Sequence, residues 1–345
     1  MGNTAGGGRL FIHCGMHKTG STAIQKELAR LAGPLEADGL YLPQSYSKNR
    51  GAHHGLAYAL KGPRVFRMQS EKFGALLAEV EAARPSDMCL SSEDFESYLT
   101  RPRALSRILP LAKRAGARPV FVLYLRNQID YFESLYLQLL RMGYGRTVSD
   151  TLEEVCAKGC LTFRKWVFQF DYNAVLDALG TLRGDTVCRN YHALAGGSSV
   201  ADFLQVLDRP GFAEGARTDL RANEARVERN LRRFAVNHLG ETAQPAADAL
   251  DLRIEGQRPR LSQAARQRIA ERFAESNGMA EARMGFALPL DASPLAEETG
   301  APLMDRMFEA PTWAAVEQGA SARIEDLVAS WYAPLRLRPS AMAAA

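Results

Sequence analysis

Leu10-Phe-Ile-His-Cys14-Gly-Met-His-Lys18-Thr-Gly20-Ser-Thr-Ala-Ile-Gln25 is the stretch that decides the fold. Leu10 to Cys14 is an apolar run of strand length, with His13 alternating inward as a core residue. Gly15 to Gly20 is a turn carrying one lysine, Lys18. Ser21 then opens a helix whose apolar face is Ile24, Leu28 and Leu31, at spacings i, i+4 and i+7. Such a junction gathers the unpaired N–H groups and the positive dipole end of the helix at one spot. Lys18 adds a full charge there, and Ser21 and Thr22 add hydroxyl donors. The expectation is an anion cradle between a buried strand and a helix.

Working outward, further strand candidates lie at 88–92, 120–126 and 186–190. Helical patterns follow the four strands, at 21–32, 104–115, 130–143 and 199–208. The alternation predicts an α/β fold, a three-layer arrangement with a central parallel sheet flanked by helices. Ligands of such sheets bind beyond the carboxyl ends of the strands. Gly15 to Ser21, Ser92-Glu93 and Arg126 all fall there. Residues 33–87 read as an insertion, with a helix near Glu71 to Ala83. Beyond Arg209-Pro210 the strands stop, and helices are predicted over 224–240 and 262–277. In the second, Leu261, Ala265, Ile269 and Phe273 repeat every four residues, with Ser262 as N-cap. The expected organisation is a core over 1–215, holding the 33–87 insertion on the acceptor side, and a helical C-terminal extension over 216–345.

The bulk numbers narrow the function classes. The chain has 345 residues, 46% hydrophobic and 24% charged, an ordinary balance for a globular protein. A net charge of +4 suits an anionic ligand, and without a long Lys/Arg run it gives no reason to expect nucleic acid. The first residues have neither a charged n-region nor an apolar h-region, and no run reaches the length of a spanning helix, so a cytoplasmic protein is expected. Cys14, Cys89, Cys156, Cys160 and Cys188 are odd in number and scattered, as reduced thiols are. Cys156 and Cys160, four apart, read as one helix face without further metal ligands nearby, so no metal site is expected.

The order of residues in the turn separates two kinds of phosphate loop. A nucleoside-triphosphate loop reads G-x-x-x-x-G-K-[ST], with lysine directly after the last glycine. Here Lys18 precedes Gly20 by two places, so the magnesium-binding hydroxyl is out of register. His17-Lys-Thr-Gly-Ser-Thr22 instead resembles the 5′-phosphosulfate loop of sulfotransferases that use 3′-phosphoadenylyl sulfate (PAPS), [PH]-K-[ST]-G-[ST]-[ST] leading into a helix. A second element agrees. Val120 to Leu125 is a continuous apolar run ending at Arg126, and Phe132, Leu135, Tyr136, Leu139 and Leu140 mark the following helix. Arg126 and Ser134 match the family's 3′-phosphate element, R-x(7)-S, with the serine on a helix. Arginine suits that task because its planar fork grips phosphate oxygens in pairs.

The resemblance, to a bacterial, carbohydrate-type branch with a P-loop-like core, implies a set of roles. His17, Lys18, Thr19, Gly20, Ser21 and Thr22 would hold the 5′-phosphosulfate, with Lys18 at the bridging oxygen. Arg126 and Ser134 would hold the 3′-phosphate. Glu93, at the end of the strand before the 3′-phosphate strand, would be the base, with Asp94 and Glu96 raising its pKa by like-charge repulsion. The other reading of Glu93 is an acid at a helix start. His17 binds sulfate oxygens or acts on the acceptor, or it shapes the loop. Arg189, followed by a Tyr191-His-Ala-Leu194 string like the family's, approaches the nucleotide or forms an inter-element ion pair. Arg50, His53 and His54 in the insertion hold an acceptor hydroxyl or carboxylate, or stand exposed without a task.

The expected reaction is transfer of the sulfuryl group of PAPS to a hydroxyl or amine of a saccharide, glycolipid or small hydroxylated metabolite, leaving PAP and needing no metal. Two alternatives stand beside it. One is an ATP-dependent P-loop kinase of a sugar or nucleoside, in which Glu93 and Asp94 would be the metal ligands. The other is a non-catalytic nucleotide- or glycan-binding protein. Acceptor identity and oligomeric state are not written in these motifs.

Overall fold

A computed structural model describes residues 7–214, 233–234, 236–237, 259–293 and 303–309. The chain divides into two compact units, one made of 1–127, 160–220 and 274–288, the other of 128–159, 221–273 and 289–345.

The first unit holds a five-stranded sheet, ordered β2-β3-β1-β4-β7 and parallel throughout. Its strands are β1 (Arg9–His13), β2 (Leu40–Tyr41), β3 (Asp87–Ser91), β4 (Arg118–Leu125) and β7 (Asp185–Asn190). A separate antiparallel hairpin joins β5 (Cys160–Phe163) to β6 (Trp166–Gln169). The unit's helices are α1 (Ser21–Arg30), α2 (Ala32–Ala37), α3 (His54–Ala59), α4 (Pro63–Met68), α5 (Ser70–Ala83), α6 (Pro102–Leu105) and α7 (Leu109–Ala115). In the second unit, α8 (Gln128–Leu140) and α9 (Val148–Lys158) follow, and the first unit resumes with α10 (Tyr172–Gly180) and α11 (Ser199–Val206). The four sequence-predicted strands are present within a few residues of their expected bounds, as are the helices expected at 21–32, 130–143 and 199–208, whereas the expected helix 104–115 is broken into α6, a 3₁₀ turn over Ser106–Ile108, and α7.

Register explains why the strands read as unbroken apolar runs. Phe11 of β1 sits beside Cys89 of β3 and Val120 of β4. Successive strand side chains point to opposite faces. Phe11, Cys89, Val120, Val122 and Tyr124 face one layer, built from Ile24 and Leu28 of α1 and Val200, Phe203 and Leu204 of α11. The alternate residues Leu10, Ile12, Met88 and Leu90 are equally buried. Helix α7 packs on β1 and β4, and α10 packs on β7. With both sides covered, both parities of the central strands are largely apolar, and the buried polar exceptions His13 and Ser91 bond to each other at 2.8 Å.

Two local features differ from the sequence reading. Residues 33–87 contain a sheet strand, β2, which pairs with β3 through Leu40 and Tyr41. At two residues it is too short to show a period. Helix α9 ends at Gly159, whose φ of 68° suits glycine, and Cys160 begins β5. Cys156 and Cys160 thus do not share a helix.

In the second unit, α8 buries Tyr131, Phe132, Leu135, Tyr136, Leu139 and Leu140. Its fully buried Glu133 accepts from Arg260 Nε at 3.1 Å and from the Leu261 N–H at 2.9 Å. The long helix Gln263–Met284 runs further than the predicted 262–277, and Ser262 caps it by accepting from the Ala265 N–H at 3.3 Å. Of the predicted helix 224–240, only 233–234 and 236–237 lie within the described residues. Among the described residues no helix is long and apolar enough to cross a membrane.

Candidate functional site

The turn after β1 leaves the sheet between its two neighbours. The Cys14 N–H donates to the Val122 carbonyl at 3.1 Å, and the Ser92 N–H to the His13 carbonyl at 3.0 Å. Thr19, fully buried, donates its hydroxyl to the Met16 carbonyl at 2.5 Å and so folds the turn on itself. Lys18 takes a left-handed φ of 66° and Gly20 one of 88°. Helix α1 starts at Gly20 with no side-chain cap. The free N–H groups of its first turn therefore face the loop.

Two glycines hold this cradle open. A Cβ on Gly15 would lie 2.5 Å from Ser21 Oγ and 3.1 Å from His13 Nε2. Both atoms are buried and lack a hydrogen-bond partner among the described residues. A Cβ on Gly20 would lie 2.2 Å from Ser199 Oγ, at the start of α11. Buried polar atoms are almost always satisfied, so Ser21 Oγ, without a partner among the described residues, is an atom that a bound group could satisfy. Thr22 is exposed one residue further on.

Arg126 follows β4 directly and arrives at the same place. Its Nη1 donates to the Lys18 carbonyl at 3.3 Å. The guanidinium carbon stands 5.2 Å from the centre of the Tyr191 ring, and Nε is buried without a partner. Tyr172 fixes the Arg126 backbone by donating its hydroxyl to the carbonyl at 2.6 Å. Lys18, Ser21 and Arg126 together are a donor set for an oxyanion with more than one charge. This donor chemistry fits the phosphosulfate group of PAPS.

Beside the cradle, the 3₁₀ turn Glu93–Tyr98 after β3 carries three carboxylates, and each has its own partner. Glu93 accepts from Gln25 Nε2 of α1 at 2.6 Å. Asp94 accepts from Trp166 Nε1 at 2.8 Å and pairs with His54 Nδ1 at 3.2 Å. Burial works to raise the Asp94 pKa, but the hydrogen bond and charge of His54, with the Trp166 bond, hold it below the usual carboxylate range. Glu96 is fully buried and turned to His17, whose Nδ1 lies 2.6 Å and whose backbone N–H lies 2.9 Å from the same oxygen. Burial works to lower the His17 pKa, yet the Glu96 hydrogen bond and the charges of Glu96, Glu93 and Asp94 leave it raised.

Other sequence-selected residues are occupied elsewhere. Arg189 is bound through Nε to Asp202 Oδ1 at 2.9 Å, and Asp202 also accepts from Tyr124 and the Ala195 N–H. Of the two readings of Arg189, the geometry is that of the inter-element ion pair. His53 is fully buried. Its Nε2 donates to the Pro43 carbonyl at 3.0 Å, and its Nδ1 accepts from the Ser91 N–H at 3.3 Å. Both ring nitrogens are used, so His53 holds the insertion onto β3 and has none left for an acceptor. Arg50 donates to the Leu42 carbonyl and pairs with Glu36 at 2.6 Å, and it too is a structural tie. His54 stays part-exposed beside Ser92 and Asp94. Ser134 is half-buried on α8, within the second unit.

Sequence reasoning did not single out Gln25, Trp166 or the role of Glu96. The only signal for Gln25 was its place four residues after Ser21. For Glu96 the signal was a third acid in a turn whose polar face repeats every three residues. Among the described residues no group of three or more His, Cys, Asp or Glu side chains is arranged to hold a metal ion. The chain matches no family model, no curated protein and no solved structure.

Proposed function

We propose that the chain is a PAPS-dependent sulfotransferase. It would move a sulfuryl group in line to a hydroxyl or amine of a saccharide, glycolipid or small hydroxylated metabolite, on a P-loop-like core. The observation that carries this reading is the meeting of Arg126 with Lys18, beside the unsatisfied Ser21 hydroxyl.

PAPS, when bound, supplies an activated sulfuryl group with a phosphate leaving group. The protein's part is positioning and charge. Lys18 and the first-turn N–H groups of α1 neutralise the oxyanion. The Arg126 fork holds a second phosphate. Glu93, oriented by Gln25, accepts the proton of the acceptor hydroxyl as it attacks. His54, part-exposed and paired with Asp94 next to Glu93, would be the insertion's contact to the acceptor.

The test is thermal stability with three additions, followed by transfer from a labelled donor. A ligand that binds only the native state raises the melting temperature. PAP without metal is expected to stabilise the chain, and labelled sulfate to appear in an acceptor extract. Stabilisation by ATP with magnesium, and none by PAP, would instead favour the sugar or nucleoside kinase. PAP binding without any transfer would favour the non-catalytic binder.

A further inference from the structure

His17, next to Lys18 in the turn, is held in an unusual way. One oxygen of Glu96 accepts from both the backbone N–H and Nδ1 of His17, at 2.9 and 2.6 Å. The other oxygen accepts from the Gln169 N–H of β6 at 2.8 Å. The edge of the Phe168 ring closes the remaining side, 4.8 Å between ring centres at 80°. Loop, carboxylate and hairpin thus fix the imidazole in one orientation. A carboxylate can only accept, so Nδ1 must carry its proton. Titration is then confined to Nε2, which has no protein partner among the described residues.

We propose that Glu96 is a positioning residue, fixing His17 so that Nε2 serves as a second cationic donor, beside Lys18, to the oxyanion bound at the turn. A neutral Nε2 presents a lone pair to an anion and repels it. A protonated Nε2 donates to it. The buried Glu96 charge favours the protonated form. The charged and titratable groups near the ring among the described residues include Glu93, Asp94 and Glu96 on the 3₁₀ turn, Lys18 in the loop, His54 on α3, Tyr172 on α10 and Arg126 after β4. The charges that act on the ring are those of the three carboxylates of the 3₁₀ turn. The inference rests on the anion-cradle reading, with PAP as the probe.

Two measurements test it. The first is an NMR pH titration of the His17 ring in the ligand-free chain, assigned with His17→Gln. His17 is expected to titrate above an ordinary histidine in the wild type and lower in Glu96→Gln. The second is PAP affinity across the same pH range. In the wild type it should fall roughly tenfold or more as Nε2 loses its proton, the size of one charge-assisted hydrogen bond. In Glu96→Gln the fall should move to lower pH, and in His17→Gln it should be absent. The phosphates of PAP titrate nearby, so the difference between proteins is the readout. An unchanged midpoint in Glu96→Gln overturns the proposal. Should that variant not fold, a wild-type His17 titrating at or below the ordinary value overturns it equally. Failure of PAP to bind at any pH would strike the sulfotransferase reading, while the titration would still decide the role of Glu96.

Discussion

Arg126 Nη1 lies 3.3 Å from the carbonyl oxygen of Lys18, although 108 residues separate the two. The meeting follows from topology. Lys18 leaves the carboxyl end of β1 and Arg126 the carboxyl end of β4, and these strands are parallel neighbours. Two motifs at the ends of adjacent parallel strands are bound to share one rim of the sheet. One ligand can therefore touch both.

Arg126→Ala should weaken PAP binding by roughly ten- to a hundredfold, the range for losing a paired charge-assisted contact to phosphate. Arg126→Lys should recover only part of it, because an ammonium lacks the planar fork. Calorimetric titration with PAP measures both. Equal affinity in all three proteins would remove Arg126 from the site.

Glu93→Gln should lower sulfate transfer by about a hundredfold or more, within the range for loss of a general base. PAP affinity should stay within about twofold, since that substitution leaves the cradle's cations in place. The Gln25 contact to Glu93 predicts a smaller loss in Gln25→Leu, visible as a shifted pH profile. A Glu93→Gln enzyme with full turnover would return Glu93 to the role of a helix-start acid.

Gly20→Ala should destabilise the protein and weaken PAP binding together. The φ of 88° costs a non-glycine residue about 1–2 kcal/mol. The new Cβ would also meet Ser199 Oγ at 2.2 Å. Ser199 Cβ would also lie 2.7 Å away, so adding Ser199→Gly, which removes both atoms, relieves the second effect and leaves the first, and the double variant should recover only part of the lost stability in urea melts. Complete recovery would show that the backbone angle carries no cost.

Acid should weaken the fold through two buried histidines. Burial pushes His13 down to about 3, and it pushes His53 down to about 4 against the opposing bond to the Pro43 carbonyl. Both stay neutral in the fold while the unfolded chain protonates them below about pH 6.5. Their stabilisation is thus full above that value and is lost as pH falls toward 4. Each should account for about 2 kcal/mol by about pH 5. His17 has the opposite sign: its raised pKa adds stability at low pH that is lost as pH rises through the folded value. Denaturant melts at stepped pH should show a flatter acid limb in His53→Gln. An identical limb would mean that His53 does not titrate on unfolding.

Asp202→Ala should cost roughly 3 kcal/mol, as expected when a buried carboxylate is removed from its ion pair. Asp202 joins Arg189 of β7, Tyr124 of β4 and the Ala195 N–H. PAP affinity should change little beside that loss, because Arg189 serves the fold. A large drop in affinity with intact stability would restore Arg189 to the nucleotide.

The central strands β1 and β4 were legible because both of their faces are buried, so an apolar run marks each of them, while the edge strand β7 is half-buried and shows only a short apolar stretch. The cradle was legible because its donors are consecutive in the chain. Strand β2 was not, since two residues carry no period. The hairpin β5–β6 was hidden too, because Cys160 continues the spacing of Cys156 and only Gly159 marks the break. Arg50 and His53 stand out in the sequence as a basic group on a glycine-flanked loop, with idle exposure as the other reading. A buried histidine with two satisfied nitrogens and one facing a ligand have the same letter. Pairings such as His17 with Glu96 depend on side-chain direction across 79 positions, which no local pattern encodes.

The place of β1 in the middle of the sheet also governs how the protein is made. Strand β1 leaves the ribosome before both its neighbours, β3 and β4, which lie downstream of it. Until about residue 125 has emerged, one edge of β1 has no mate and Leu10, Phe11 and Ile12 have no lasting cover. A nascent chain halted before that point exposes a bare strand edge to chaperones and aggregation, and it lacks the arginine that completes its own ligand grip.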